Sequence, residues 1–100
     1  MARFIIDSKV YDTEKMEFVA KVKKMYPLNS FFLEKLYGKD AGMWHDCGLY
    51  KSAKGRFLLM RRETYNQVCG EAITEAEAKA LLMQYDYETY RRLYGELEEA

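Results

Sequence analysis

The sequence has only two cysteines and one proline, no apolar run long enough to cross a bilayer, and no net charge. Cys47 and Cys69 stand 22 positions apart without a CxxC motif, which excludes the dense disulfide framework of a small secreted domain. A membrane span needs about 20 consecutive apolar residues, and an acid already follows at Asp7. These absences predict a cytoplasmic protein that does not enter a membrane.

Sixteen basic and sixteen acidic residues cancel, so no overall field draws the chain toward nucleic acid or anionic lipid. Their distribution is uneven. From Lys51 to Arg62 there are five bases and no acid, whereas from Glu71 to the end there are eight acids and three bases. Such charge runs are typical of solvated faces, and they also suit two docking surfaces of opposite sign.

His45 and Cys47 form a His-x-Cys pair that Cys69 would have to join to make a zinc site. Zinc sites of structural type use four ligands at tighter spacings, and nothing here supplies the third member of a Cys-His nucleophile site. We therefore predict no metal, no cofactor and no catalytic residue. With 100 residues and 49% hydrophobic residues, the chain suits one folded domain, residues 1–100, that acts as a binding module.

The N-terminal third predicts a hairpin and then a helix. Two short β-favouring runs, residues 3–6 and 9–11, flank an Asp7-Ser8 turn. Asp12 is a suitable N-cap for a helix over residues 13–25, which Pro27 would terminate. The apolar residues at helical spacing are Met16, Val19, Ala20, Val22 and Tyr26.

The middle of the chain predicts a short helix and a clear hairpin. Within residues 28–42, Asn29 or Ser30 would cap a helix that ends at Gly38. Residues 49–62 read as two strands around a turn at 53–55, with Gly55 at the left-handed position of a G1 bulge. The second strand is apolar on both faces, which is typical of a central strand, and a further strand is expected around residues 67–69.

The C-terminal third predicts two helices. Thr74 and Glu77 have the spacing of a capping box, and Asp86 would cap a second helix. Tyrosines recur at 85, 87, 90 and 94, which suits either packing on the sheet or a protein interface. The fold class is therefore α+β: a small, mainly antiparallel sheet around the central hairpin, covered by an N-terminal helix and a C-terminal helix pair.

Four separated blocks carry a resemblance: Lys9-Val-Tyr-Asp-Thr-Glu, Leu49-Tyr-Lys-Ser-Ala-Lys-Gly-Arg-Phe-Leu, Ile73-Thr-Glu-Ala-Glu-Ala-Lys and Tyr90-Arg-Arg-Leu-Tyr-Gly-Glu-Leu-Glu-Glu. In this order they are similar to a family of small proteins from phages, plasmids and conjugative elements of Gram-positive bacteria. Several proteins of that kind are anti-CRISPR proteins, which bind a CRISPR effector or its guide RNA. The chain departs from the pattern at residues 60–66, where relatives are glycine-rich, and at residues 28–42, which are longer and more apolar.

The resemblance implies a non-enzymatic, protein-binding inhibitor encoded by a mobile element, with a CRISPR effector as the expected partner. The residues leave two alternatives. One is a module that binds single-stranded nucleic acid such as guide RNA. The other is a small RNA nuclease that uses His45 with Asp46 or Lys51. The residues expected at the partner surface are Tyr50, Lys51, Lys54, Arg56, Arg61 and Arg62.

Overall fold

The computed structural model describes residues 2–27, 42–64 and 67–98. Its elements in chain order are β1 (Arg3–Ile6), β2 (Lys9–Asp12), a 3-10 turn (Thr13–Lys15), β3 (Glu17–Pro27), β4 (Gly42–Lys51), β5 (Phe57–Thr64), β6 (Gln67–Ile73), α1 (Glu75–Tyr85) and α2 (Tyr87–Tyr94). β1 pairs with β2, and β3 to β6 form a four-stranded antiparallel sheet in sequential order. The α+β class is confirmed. The helix expected within residues 28–42 lies outside the described residues.

The predicted helix over residues 13–25 is wrong, because all but the first turn of this segment belongs to strand β3. A β-bulge between Phe18 and Ala20 explains the error. The extra residue places Val19 and Ala20, which are consecutive, both in the core, and two adjacent buried residues imitate a helical stripe. Beyond the bulge, buried Ala20 and Val22 alternate with exposed Lys21 and Lys23 at the period of a strand.

Asp12 does act as a cap, but of the 3-10 turn alone. Its Oδ1 accepts a hydrogen bond from the Glu14 amide at 3.1 Å. The backbone is already extended at Met16, with φ −107° and ψ 154°. The cap signal was therefore correct, and the helix expected after it does not form.

One face of the four-stranded sheet packs against the helix pair and forms the core. Side chains of β3, β4 and β5 on this face contact α1 and α2. The buried members of this cluster are Val19, Ala20, Val22, Cys47, Leu49, Phe57, Leu59, Ala78, Leu82 and Tyr90. Because the strands alternate, every second residue of β4 and β5 lies on the opposite face of the sheet, which we call the open face.

The predicted starts of the two C-terminal helices are confirmed. Thr74 Oγ1 accepts from the Glu77 amide at 3.1 Å, and Glu77 Oε1 accepts from the Thr74 amide at 3.5 Å, which completes the capping box. Asp86 Oδ1 accepts from the Thr89 amide at 3.2 Å and begins α2. Asp86, with φ −152° and ψ 72°, thus separates the two helices.

The N-terminal hairpin is confirmed and covers one end of the sheet face opposite the helices. Asp7 and Ser8 have φ of 52° and 61°, as a two-residue hairpin turn with both central residues left-handed requires. The Phe4 ring lies directly over Gly70, where a Cβ would stand 2.7 Å from ring atoms. Only glycine leaves room for this contact, which fixes the hairpin on β6.

The turn between β4 and β5 is also confirmed. The Gly55 amide donates to the Ser52 carbonyl at 2.9 Å, and the Ser52 amide donates to the Arg56 carbonyl at 2.8 Å. Gly55 has φ 84°, the left-handed position of this turn. β5 lies between β4 and β6, which confirms it as a central strand.

Gly55→Val is expected to lower the thermal midpoint by several degrees, because a β-branched residue at positive φ costs about 1–2 kcal/mol. Ala53→Val is the matched control, since Ala53 lies in the same turn, is exposed and has no positive φ. Differential scanning calorimetry of both variants checks this. Equal midpoints for Gly55→Val and wild type would contradict the turn.

Candidate binding surface

The basic residues expected at the partner surface do not form one patch. Arg61 and Arg62 are consecutive on β5, so their side chains leave opposite faces of the sheet. Arg61 lies on the helix face, in register with Cys47 on β4, whereas Arg62 lies on the open face. Lys51 also lies on the helix face, where its Nζ is 5.8 Å from the centre of the Phe57 ring.

Lys54 and Arg56 are the two expected basic residues that the structure brings together. They line a cleft of 580 Å³ between the N-terminal hairpin and the turn that joins β4 and β5. We call this the basic cleft. Its cationic lining residues are Arg3, Lys9, Lys15, Lys54 and Arg56, and its one carboxylate is Asp12.

Acids next to the basic cleft offset only part of its charge, since Arg3 shares a shallow neighbouring pocket with Asp12 and Glu14. None of its five cations forms an ion pair with any residue in the described ranges. Lys9 Nζ donates to the carbonyl oxygen of Asp7 at 3.4 Å, and the Asp12 carboxylate is engaged with the Glu14 amide. The cleft therefore presents an excess of exposed positive charge that the zero net charge of the chain conceals.

Two aromatic rings follow the basic cleft along the open face of the sheet. Phe18 and Tyr50 are cross-strand neighbours with ring centres 5.4 Å apart in an edge-to-face arrangement. They stand two residues along the chain from Met16 and Ser52, which line the cleft. Both rings extend away from the cleft toward Gly48, and Phe18 lines a neighbouring pocket with Lys21, Lys23 and Asp46. Phe18 is 50% exposed, whereas Tyr50 is partly buried. Of the pair, Phe18 therefore offers the accessible ring.

The far end of the sheet continues as a two-stranded arm. β3 and β4 pair from Glu17–Lys51 to Pro27–Gly42, whereas β4 pairs with β5 only through residues 47–51. We call residues 23–27 and 42–46 the β3–β4 arm. Met25 and Trp44 are directly opposite each other on this arm and are 45% and 62% exposed. No local pattern in the sequence indicates this pair, because it depends on the register between two strands that are distant along the chain.

The helix face beyond α1 carries polar residues. Lys24 Nζ and Glu71 Oε1 form an ion pair at 2.6 Å.

Cys47 and Cys69 occupy corresponding positions two strands apart, about 10 Å by the usual strand spacing, which is too far for a disulfide. Within residues 2–27, 42–64 and 67–98, no three His, Cys, Asp or Glu side chains are placed to hold a metal ion.

The structure also separates the residues considered for a nuclease. His45 and Asp46 are consecutive on β4 and leave opposite faces of the sheet. Lys51 shares the face of His45 but lies six residues away, about 20 Å along an extended strand. An acid–base pair made from these side chains would need contact distances that the strand does not allow.

The C-terminal tyrosines pack chiefly on one another. Tyr87, Tyr90 and Tyr94 form a ladder with ring centres 6.0 and 5.3 Å apart, and Lys79 Nζ lies 4.7 Å from the centre of the Tyr94 ring. Burial, with the charge of Glu75 and the nearby Tyr90, raises the pKa of the Tyr94 hydroxyl. This arrangement favours a structural role over an interface for the ladder.

No protein-family model matches the chain, and the searches of curated proteins and of solved structures found no similar protein. The similarity to mobile-element proteins thus stays an expectation from the four sequence blocks. Neither helix of the described chain is long and apolar enough to cross a membrane.

Proposed function

We propose that this chain is a non-enzymatic inhibitor encoded by a mobile element, that it acts by binding a protein, and that the partner is a CRISPR effector complex. The observation that carries the proposal is the exposed Met25–Trp44 pair on the β3–β4 arm. Tryptophan and methionine are enriched at protein interfaces, and tryptophan is among the residues that most often dominate binding energy. The partner's identity rests on the sequence resemblance.

The exposure of Trp44 means that covering it with a partner would release a large amount of binding free energy. A tryptophan side chain buries about 150–250 Å², and Trp44 keeps more than half of its surface in water. Covering the exposed part would contribute roughly 3 kcal/mol at 25 cal/mol per Å². A single side chain could thus supply a substantial part of the affinity.

Charged residues border the apolar pair, as the rim of an interface does. Lys23 and Asp46 are the next cross-strand pair on the same face, followed by Lys21 opposite Gly48. Charges at a rim set orientation and association rate more than affinity. Lys24 on the other face of the arm is ion-paired with Glu71 of β6, so the face that carries Met25 and Trp44 is the one open to a partner.

The decisive experiment is a target-cleavage assay with a purified CRISPR effector complex from a Gram-positive host. Wild-type protein is expected to inhibit cleavage, and Met25→Ala/Trp44→Ala is expected to raise the inhibitory concentration at least about 100-fold, because two central contacts are lost. Ile5→Ala/Leu97→Ala is the matched control. Ile5 and Leu97 are apolar residues that are 75% and 46% exposed and lie outside both the arm and the lining of the basic cleft.

Full inhibition by the Met25→Ala/Trp44→Ala variant would contradict the role of the arm. An equal loss of inhibition in the control variant would show that the effect comes from general surface hydrophobicity and not from the arm. Uninhibited cleavage at saturating wild-type protein would contradict the effector as partner. Thermal midpoints within a few degrees of wild type would show that both variants remain folded.

A further inference from the structure

We propose that the basic cleft binds the phosphodiester backbone of a single-stranded nucleic acid, whose bases stack on Phe18. The cleft is separate from the Met25–Trp44 pair, since Ser52, which lines the cleft, and Trp44 lie eight residues, about 26 Å, apart in extended chain. Phe18 lies between the two and shares a pocket with Lys23 and Asp46 of the arm. This nucleic-acid site goes beyond the proposed inhibitor function and does not depend on it.

Charge is the first argument for a polyanionic ligand. The cleft combines five exposed cations with one carboxylate, although the whole chain is neutral. The acids of the C-terminal third lie chiefly on and after the helices, which pack on the other face of the sheet. A phosphate chain would therefore be attracted to the cleft side and repelled by the helix side.

The half-exposed Phe18 ring distinguishes single strands from other polyanions. An unpaired base has a free π-face that can stack on an aromatic ring, whereas the bases of a duplex are already stacked. Phe18 stands about 7 Å along the chain from Met16 at the cleft and lines the next pocket with Lys21 and Lys23, so one nucleic-acid strand can pass from the cleft to the ring. An acidic peptide would use the cations but has no base to place on the ring.

The test is fluorescence anisotropy with a fluorescein-labelled oligouridylate of about 15 nucleotides, without any effector. Wild-type protein is expected to bind with a steep salt dependence, a log–log slope approaching about 3.5 if each cation neutralises one phosphate. Because no effector is present, failure of this experiment and failure of the cleavage assay are independent.

Three variants separate phosphate contact from stacking. Lys54→Ala/Arg56→Ala is expected to weaken binding at least about tenfold and to lower the slope by about 1.4. Phe18→Ala is expected to weaken binding roughly 5- to 150-fold and to leave the slope unchanged. Arg91→Ala/Arg92→Ala removes the same charge from α2 and is expected to bind like wild type.

Six results would overturn the proposal. Four are absence of binding by wild-type protein, wild-type affinity in Lys54→Ala/Arg56→Ala, an equal loss of affinity in Arg91→Ala/Arg92→Ala, and wild-type affinity in Phe18→Ala. Preferential binding of a duplex of the same length, or displacement of the oligonucleotide by polyglutamate at equal charge, would also overturn it. Circular dichroism checks that each variant retains its fold.

Discussion

Gly70→Val is expected to lower the free energy of unfolding by about 3 kcal/mol, because it forces the N-terminal hairpin away from the sheet. Phe4 ring atoms stand 2.7–2.9 Å from the position of a Cβ at Gly70, closer than any real contact allows. The ring and the backbone of β6 would have to separate. Urea denaturation followed by circular dichroism measures the loss.

The Phe4→Ala/Gly70→Val double variant shows whether the ring is the cause. Removing the ring should make the valine far less costly, so the two substitutions should couple by more than 1 kcal/mol. Strict additivity would contradict the packing of Phe4 on Gly70. Because β2 forms one wall of the basic cleft, Gly70→Val should also weaken oligonucleotide binding.

Leu49→Ala is expected to cost about 2–5 kcal/mol, a large part of the 5–15 kcal/mol that stabilises a domain. Leu49 is 0% exposed and lies on the helix face of β4, between its neighbours Ala20 and Leu59. Truncation there leaves a cavity that the surrounding strands cannot fill without losing their register. The same urea titration measures the change in the free energy of unfolding.

Leu97→Ala provides the matched control for Leu49→Ala, since Leu97 is 46% exposed and follows α2. We expect it to cost less than about 1 kcal/mol. Comparable losses in the two variants would show that the core does not lie between the sheet and the helices.

Local chemistry made several parts of the fold predictable. The left-handed glycine at 55, the capping box at Thr74 and Glu77, and the cap at Asp86 each act within a few residues of themselves. β3 was misread because a single bulge changes the phase of its buried residues. A strand can be recognised from its period of two only where that period is uninterrupted.

The binding surface was less predictable, because it depends on contacts between distant segments. Lys54 and Arg56 were recognised from a local run of bases. Arg3, Lys9 and Lys15 join them only because the N-terminal hairpin docks on the sheet through Phe4. No local pattern in the first 15 residues indicates that docking, since its counterpart is a glycine in β6.

The most direct test of the proposed function uses Trp44, which is the only tryptophan of the chain. Labelling with 5-fluorotryptophan gives one fluorine resonance, and its 62% exposure predicts a clear difference between spectra in H2O and D2O for the free protein. When an equimolar CRISPR effector complex is added, we expect this resonance to shift and broaden and to lose its solvent sensitivity. An unchanged resonance in a sample that co-elutes with the effector would contradict the arm as the contact, and failure to co-elute would contradict the partner.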